Sequence, residues 1–208
     1  DMGPVSAMKR PFQFYEGLFA LDLHDVPVIG APTNARAMVS LFDYSCDHCR
    51  LMHPVIQEVQ RAFRNELVII SLPMPLDSKC NRTVTHTPRA HTNACEYARL
   101  GLAVWRANRE KHREFDDWMM TGAEPPAVNI AVDRAKALLG IGALVKALND
   151  PWVERQLQFD VAIYEVAYRQ KHGSMPQLIV GSTVSEGLRS RDEVLKMLAD
   201  ILGLKPRP

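Results

Sequence analysis

An excess of charge is missing from this 208-residue chain: 25 lysines and arginines face 24 aspartates and glutamates, for a net charge of +1. That balance supplies no basic footprint for nucleic acid or for an anionic membrane surface. Long hydrophobic runs are missing as well. Leu67 to Ile70 is among the longest, far short of the roughly 20 residues that a membrane span needs. No Gly-rich phosphate loop, His-Glu-x-x-His or Gly-x-Ser-x-Gly occurs, and no internal repeat. Cysteine is scarce: four residues are too few for a disulfide scaffold at this size. The start, Asp1-Met2-Gly3-Pro4, has neither the basic nor the apolar region of a signal peptide. It reads as a cloning remnant or a trimmed start, so the compartment has to be inferred from chemistry. What remains is an ordinary globular composition, 47% hydrophobic and 24% charged, enough for one ample core.

Periodicity orders the elements. Leu21 to His24 alternates like a short edge strand. Ala35 to Phe42 reads as a buried strand, ended by Asp43-Tyr44-Ser45. From Cys46 to Phe63, apolar residues at Leu51, Met52, Val55, Ile56, Val59 and Phe63 follow helical spacing. Glu66 to Leu72 is a short β-branched run stopped by Pro73 and Pro75. Strand, helix, strand in this order is a βαβ unit, with a parallel pair and a right-handed crossover.

The middle of the chain reads as helical, from Pro88 to Asn108, then around Phe115 to Met119, and after Pro125-Pro126 over Val132 to Leu139 and Gly142 to Leu148. Asp150 and Pro151 form the N-cap and first position of a longer helix reaching about Lys171, with Gly173 suited to its stop. Gln177 to Val180, Gly181-Ser182 and Thr183 to Gly187 predict a hairpin. Ser190 to Leu202 predicts a closing amphipathic helix through Val194, Leu195, Leu198 and Ile201.

Cys46-Asp47-His48-Cys49 carries the chemistry. The first cysteine falls at a helix N-terminus, where unpaired backbone N–H groups and the macrodipole favour a thiolate. The second lies one turn on, on the same face, close enough to close a disulfide. His48 can hold a positive charge nearby, whereas Asp47 works the other way. A Cys-x-x-Cys pair serves either redox chemistry or zinc, and its place at a strand–helix junction favours redox. Pro54 inside the same helix and Met175-Pro176 just before a strand are each ordinary as a kink or a stop. Together with Cys46 and Cys49 they form a set.

On that set the chain resembles the DsbA-like branch of the thioredoxin superfamily. The resemblance rests on Phe42 to Cys49, on Pro54, and on Met175 to Gly181, with Ala98 to Trp105 inside a helical insertion. It covers roughly residues 20–204. It implies an α/β, thioredoxin-like fold with an inserted helical subdomain, the core being 20–75 and 172–204 and the insertion, with its Cys-containing loop, 76–171. Residues 1–19 are then an N-terminal extension or a remnant. The resemblance further implies that Cys46 is the exposed nucleophile, Cys49 the resolving thiol, and Pro176 a cis-proline that, with Met175, meets substrate backbone. Many family members carry a buried acid six positions before the first cysteine; here that position is Ser40, and the nearest carboxylate, Asp43, is expected at the strand end rather than under Cys49. Pro75 to Asn81 and Ala94-Cys95-Glu96 are similar to thioredoxin domains associated with vitamin K epoxide reductase-like proteins.

Cys80 and Cys95 have several readings: a structural disulfide closing a loop of about 15 residues, a relay pair for Cys46–Cys49, ligands of a four-cysteine zinc site, or free thiols. The first is preferred, because the loop to Thr92 has too few apolar residues to order itself. His86 and His91 read as exposed loop histidines. The expected activity is thiol–disulfide exchange on protein substrates, oxidation somewhat ahead of reduction, with the Cys46–Cys49 disulfide as the only redox group and no metal. The alternatives are a non-catalytic zinc-stabilised domain and a protein-binding module. A periplasmic or otherwise extracytoplasmic location follows from a stable disulfide, and a membrane redox partner of the DsbB-like or vitamin K epoxide reductase-like kind follows from the resemblance.

Overall fold

Two adjacent strands, β4 (Arg36–Phe42) and β5 (Leu67–Pro73), form the centre of the molecule, and α1 (Asp47–Ala62) crosses between them. In this computed structural model, which describes residues 4–206, β4 and β5 run parallel from Arg36 opposite Leu67 to Phe42 opposite Pro73. Three further strands complete the sheet in the order β3-β5-β4-β6-β7, all paired antiparallel to their neighbours: β3 (Val28–Ile29), β6 (Gln177–Val180) and β7 (Thr183–Glu186).

Every residue of β5 is buried, which is why its sequence is continuously apolar rather than alternating. Successive side chains enter opposite layers. Met38, Leu67 and Ile69 pack with Met52, Ile56 and Val59 of α1, with Phe63 just after it, and with Val194 and Leu198 of α7 (Arg191–Leu202). Val39, Leu41, Val68, Ile70 and Leu72 face the other way, toward Val104 of α2 (Ala94–Ala107) and Val161 and Ile163 of α6 (Pro151–Arg169). The helices α2, α3 (Arg109–Met119), α4 (Val128–Leu139), α5 (Ile141–Leu148) and α6 are all inserted between β5 and β6. The insertion therefore shares the sheet's own core. It adds a smaller cluster of its own, where Trp105 and Trp152 stack at 5.0 Å beside Cys80 and Cys95.

Four local expectations change. Residues 11–22 form a hairpin, β1 (Pro11–Phe14) with β2 (Phe19–Asp22), separate from the main sheet, with Phe14 buried in the core. Much of the segment expected as an extension or remnant is thus folded, while Asp1 to Gly3 lie outside the described residues. The Leu21–His24 strand ends early, because the Asp22 carboxylate accepts the backbone N–H groups of Lys9, Arg10 and His24. The helix expected from Pro88 is a 3-10 turn, Arg89–His91, followed by a break and then α2. Lys171, at φ 69°, rather than Gly173, makes the left-handed turn after α6.

Candidate active site

Cys46 is the N-cap of α1, with extended backbone, and its Sγ accepts the backbone N–H of Cys49 at 3.2 Å. That bond occupies one of the donors a helix start leaves free. Cys46, expected as the exposed thiol, is buried at 7% exposure and Cys49 at 1%, because the turn after β4 and the start of α1 pack into the main core. Cys46 is the more open of two buried thiols. The two thiols are unbonded to each other and unequal. The Cys49 thiol hydrogen-bonded to Cys46 pulls the Cys46 pKa down, helped by the Cys49 N–H and the charge of His91, against burial and Asp43. Burial, then the hydrogen bond and charge of Cys46, push Cys49 well above the ordinary thiol value.

Asp43 directly follows β4, at the strand end as expected, and its backbone reaches the cysteine pair. Its side chain is buried; its N–H donates to Cys49 Sγ at 3.5 Å. One carboxylate oxygen accepts the Ser45 N–H at 2.7 Å, and the other accepts the Leu76 N–H at 2.7 Å and meets His91 Nδ1 at 2.9 Å. His91, expected as an exposed loop residue, is mostly buried, with its side chain 12% exposed. Burial opposes its charge, but the bond to Asp43 and the charges of Asp43, Cys46 and Asp47 win, and its pKa is raised. His48 is exposed in the first turn of α1, where its peptide N–H donates to Asp47 Oδ1 at 2.7 Å. Among the described residues its ring has no hydrogen-bond partner. The histidine charge that bears on Cys46 comes from His91.

Pro176 follows a cis bond from Met175, and both residues are buried. Pro176 and Cys49 line one small cavity of about 10 Å³, together with Ser40, Ser71 and His53. Sequence reasoning missed Arg50. Its guanidinium donates to five carbonyls: Gly122 through Nε, Tyr44 and Met119 through Nη1, Thr121 and Glu124 through Nη2. This ties the loop after α3 to the active-site helix, and the helix and loop enclose a groove of about 690 Å³ lined by Leu51, His53, Pro54, Met120 and Ala123. A second groove, about 700 Å³, lies on the other side of Asp47, lined by Ser45, Arg89, His91, Ala123 and Glu124.

Cys80 and Cys95 are joined as a disulfide in the insertion's own cluster, whereas Cys46 and Cys49 belong to the main core. A four-thiolate zinc site is therefore not available, and the pair does not sit as a relay within the active-site cluster. His53, Asp116 and Asp117 bring ligand atoms within 4.8 Å of one another, but Asp116 already accepts the Tyr44 hydroxyl at 2.6 Å and Asp117 a Gln57 N–H at 2.7 Å.

No family model and no curated protein matches the sequence. Solved structures do match the fold. The catalytic domain of Proteus mirabilis ScsC is 17% identical with a TM-score of 0.65, over 86% of this chain and 89% of that one. A thioredoxin-like oxidoreductase from Silicibacter pomeroyi DSS-3 is 17% identical with a TM-score of 0.64, over 87% and 94%. The thiol-disulfide exchange protein alpha-DsbA2 from Wolbachia pipientis is 17% identical with a TM-score of 0.66, over 84% and 86%. With a βαβ unit, a five-helix insertion and a closing ββα unit in this order, the chain has the DsbA-like form of the thioredoxin fold.

Proposed function

We propose that this chain is a protein thiol–disulfide oxidoreductase whose only redox group is the Cys46–Cys49 pair. The observation that carries the proposal is the inequality of the two thiols: Cys46 caps the start of α1, is the more open of the two and has its pKa lowered, whereas Cys49 is sealed in the core and has its pKa raised. A thiolate that is also a good leaving group speeds exchange, and a buried partner waits to resolve or be released.

In the oxidising direction a substrate thiolate attacks Cys46 Sγ of the oxidised pair. The Cys46–Cys49 bond breaks with its electrons on Cys49, which takes up a proton. A second substrate thiolate then attacks the substrate sulfur of the mixed disulfide, and Cys46 leaves as a thiolate. Two electrons pass from the substrate dithiol to the protein, and the substrate gains a disulfide. The reverse sequence reduces a substrate. The acidified Cys46 stabilises the reduced protein, which favours oxidation. The groove along α1 and the buried edge at Met175 and Pro176 offer an extended substrate its seat.

A disulfide outside the redox pair favours an oxidising, extracytoplasmic compartment. A similar solved structure is described as a periplasmic thioredoxin-like protein from Salmonella enterica serovar Typhimurium, which supports the same location here. Re-oxidation then falls to a membrane partner of the DsbB-like or vitamin K epoxide reductase-like kind. A binding module without turnover is the rival reading.

The test is disulfide exchange on reduced ribonuclease and on insulin by the wild type and by Cys46→Ser and Cys49→Ser. Turnover that Cys46→Ser abolishes, with mixed disulfides trapped on Cys46 in Cys49→Ser, is the expected result. Absence of turnover in both assays leaves the binding module.

A further inference from the structure

We propose that His91, held by Asp43, is a positioning residue for the exchange reaction: its imidazolium ring supplies the positive charge that keeps Cys46 a thiolate. The inference rests on the oxidoreductase reading and names the charge that tunes it.

Three separate elements meet here. Asp43 comes from the turn after β4, Cys46 from the start of α1, and His91 from the 3-10 turn that precedes α2. Asp43 is immobilised by its bonds to Cys49, Ser45, Leu76 and His91, so its carboxylate lies beside the reacting pair. Alone, that carboxylate works against a thiolate, because like charges in a buried site oppose each other. The ring reverses the balance. Its Nδ1 faces Asp43 Oδ2 at 2.9 Å, which fixes the proton on that nitrogen and leaves Nε2 to take a second proton. The resulting imidazolium is bonded to the carboxylate of the residue whose carbonyl accepts the Cys46 N–H. It lines the groove beside Ser45 and Asp47, so its charge offsets that of Asp43 and favours the Cys46 thiolate. The other charged groups on this site are Asp47 from α1, Arg89 from the same 3-10 turn and Glu124 from the loop after α3, all lining the groove that His91 lines. Two further basic side chains come from α1: Arg50, whose guanidinium is held by the Tyr44 and Glu124 carbonyls, and His48, exposed in the first turn. Among all of these, His91 is the one bonded to the Asp43 carboxylate.

The consequence falls on the second step of exchange. When the mixed disulfide breaks, its electron pair goes to Cys46 Sγ, and the sulfur leaves without a proton because the charge beside it is already balanced. Of the two protons lost by the substrate thiols, one ends on Cys49 and the other on solvent.

The experiment uses the full chain as wild type, His91→Gln and His91→Lys. Iodoacetamide alkylation of Cys46 in the reduced protein at mildly acidic pH, read by peptide mass, reports its thiolate fraction. Equilibration with glutathione reports the redox balance. His91→Gln is expected to slow alkylation about tenfold, the low end of the effect of a nearby opposite charge. It is also expected to shift the glutathione equilibrium about tenfold toward the disulfide, a potential lower by about 30 mV. His91→Lys, which keeps the charge but not the ring, should recover most of both. In the wild type, the reciprocal effect should give His91 a higher pKa in the reduced than in the oxidised protein, read by imidazole NMR titration. A purely structural histidine moves none of these in that pattern. Unchanged alkylation and redox balance in His91→Gln, no recovery in His91→Lys, or equal His91 pKa values in the two redox states each overturn the proposal. If His91→Gln does not fold, the wild-type titration decides alone. Failure of the oxidoreductase reading is seen separately, as no turnover by the wild type.

Discussion

Arg50 shows how one side chain joins α1 to the insertion. All five guanidinium N–H groups are used, four on carbonyls of irregular chain and one on the carbonyl of Met119, the last residue of α3. A lysine has three donors on one nitrogen and cannot reach this arc. Arg50→Lys is expected to leave at least two carbonyls without a partner and to cost about 2 kcal/mol or more, measured by urea unfolding. Amide exchange over residues 119–124 should accelerate with it. A loss under about 0.5 kcal/mol would mean that water serves these carbonyls equally well.

The loop between β5 and α2 is ordered by more than its disulfide. Asp77 and Asn81 are fully buried and bond within it: Asp77 Oδ1 accepts the Lys79 N–H and the Thr87 hydroxyl, and Asn81 Nδ2 donates to the Pro75 carbonyl. The Cys80–Cys95 bond then fixes this loop to α2 across a separation of 15 residues. Closing such a loop is worth about 3 kcal/mol in the chain-entropy account. The double variant Cys80→Ser, Cys95→Ser is expected to lose about that much in urea unfolding. Its loosened loop carries His91, so alkylation of Cys46 should slow as well. Because Cys95 is 1% exposed and Cys46, at 7%, is the more open, mild reductant should release the Cys46 and Cys49 thiols first, seen as a two-thiol species by mass. Release of all four together would show that the second bond is not protected. Within α2, Gly101 is placed against Tyr44: a Cβ there would run into the Tyr44 hydroxyl, which itself bonds to Asp116. That glycine lets α2 approach the turn that presents Cys46.

At the scale of the molecule, the reduced and oxidised forms differ in what titrates. A thiol depressed in the folded state, as Cys46 is, contributes stability that is present above the ordinary thiol value of about 8.5 and lost as pH falls through its folded pKa. A thiol raised in the folded state, as Cys49 is, keeps its contribution below that value and loses it as pH rises beyond. In the oxidised protein neither titrates. The Tm of the reduced protein minus that of the oxidised is therefore expected to climb from mildly acidic pH to about 8.5 and then to fall. Calorimetry of both forms across pH checks this, and a flat difference would show that the two thiols are not held apart.

The sequence by itself determined the parts whose cause is local. The β-branched run of β5 and the period of α1 follow from short-range pattern, as does the placing of Cys46 at a helix start. Ser190 likewise announces α7, through a capping box with Glu193. What only the tertiary structure decided are contacts between distant, irregular segments. Asp43 and His91 are 48 residues apart, and nothing near His91 marks it until α2 folds against the turn after β4. Arg50 reads in sequence as one more charged position on an amphipathic helix; the carbonyls that bury it belong mostly to a loop about 70 residues away. The β1–β2 hairpin also escaped, since its Tyr15-Glu16-Gly17 turn uses left-handed backbone at two residues that do not advertise it. Periodicity records which face of an element is dry. It carries no record of which backbone carbonyl or ring nitrogen the folded chain brings to a charge.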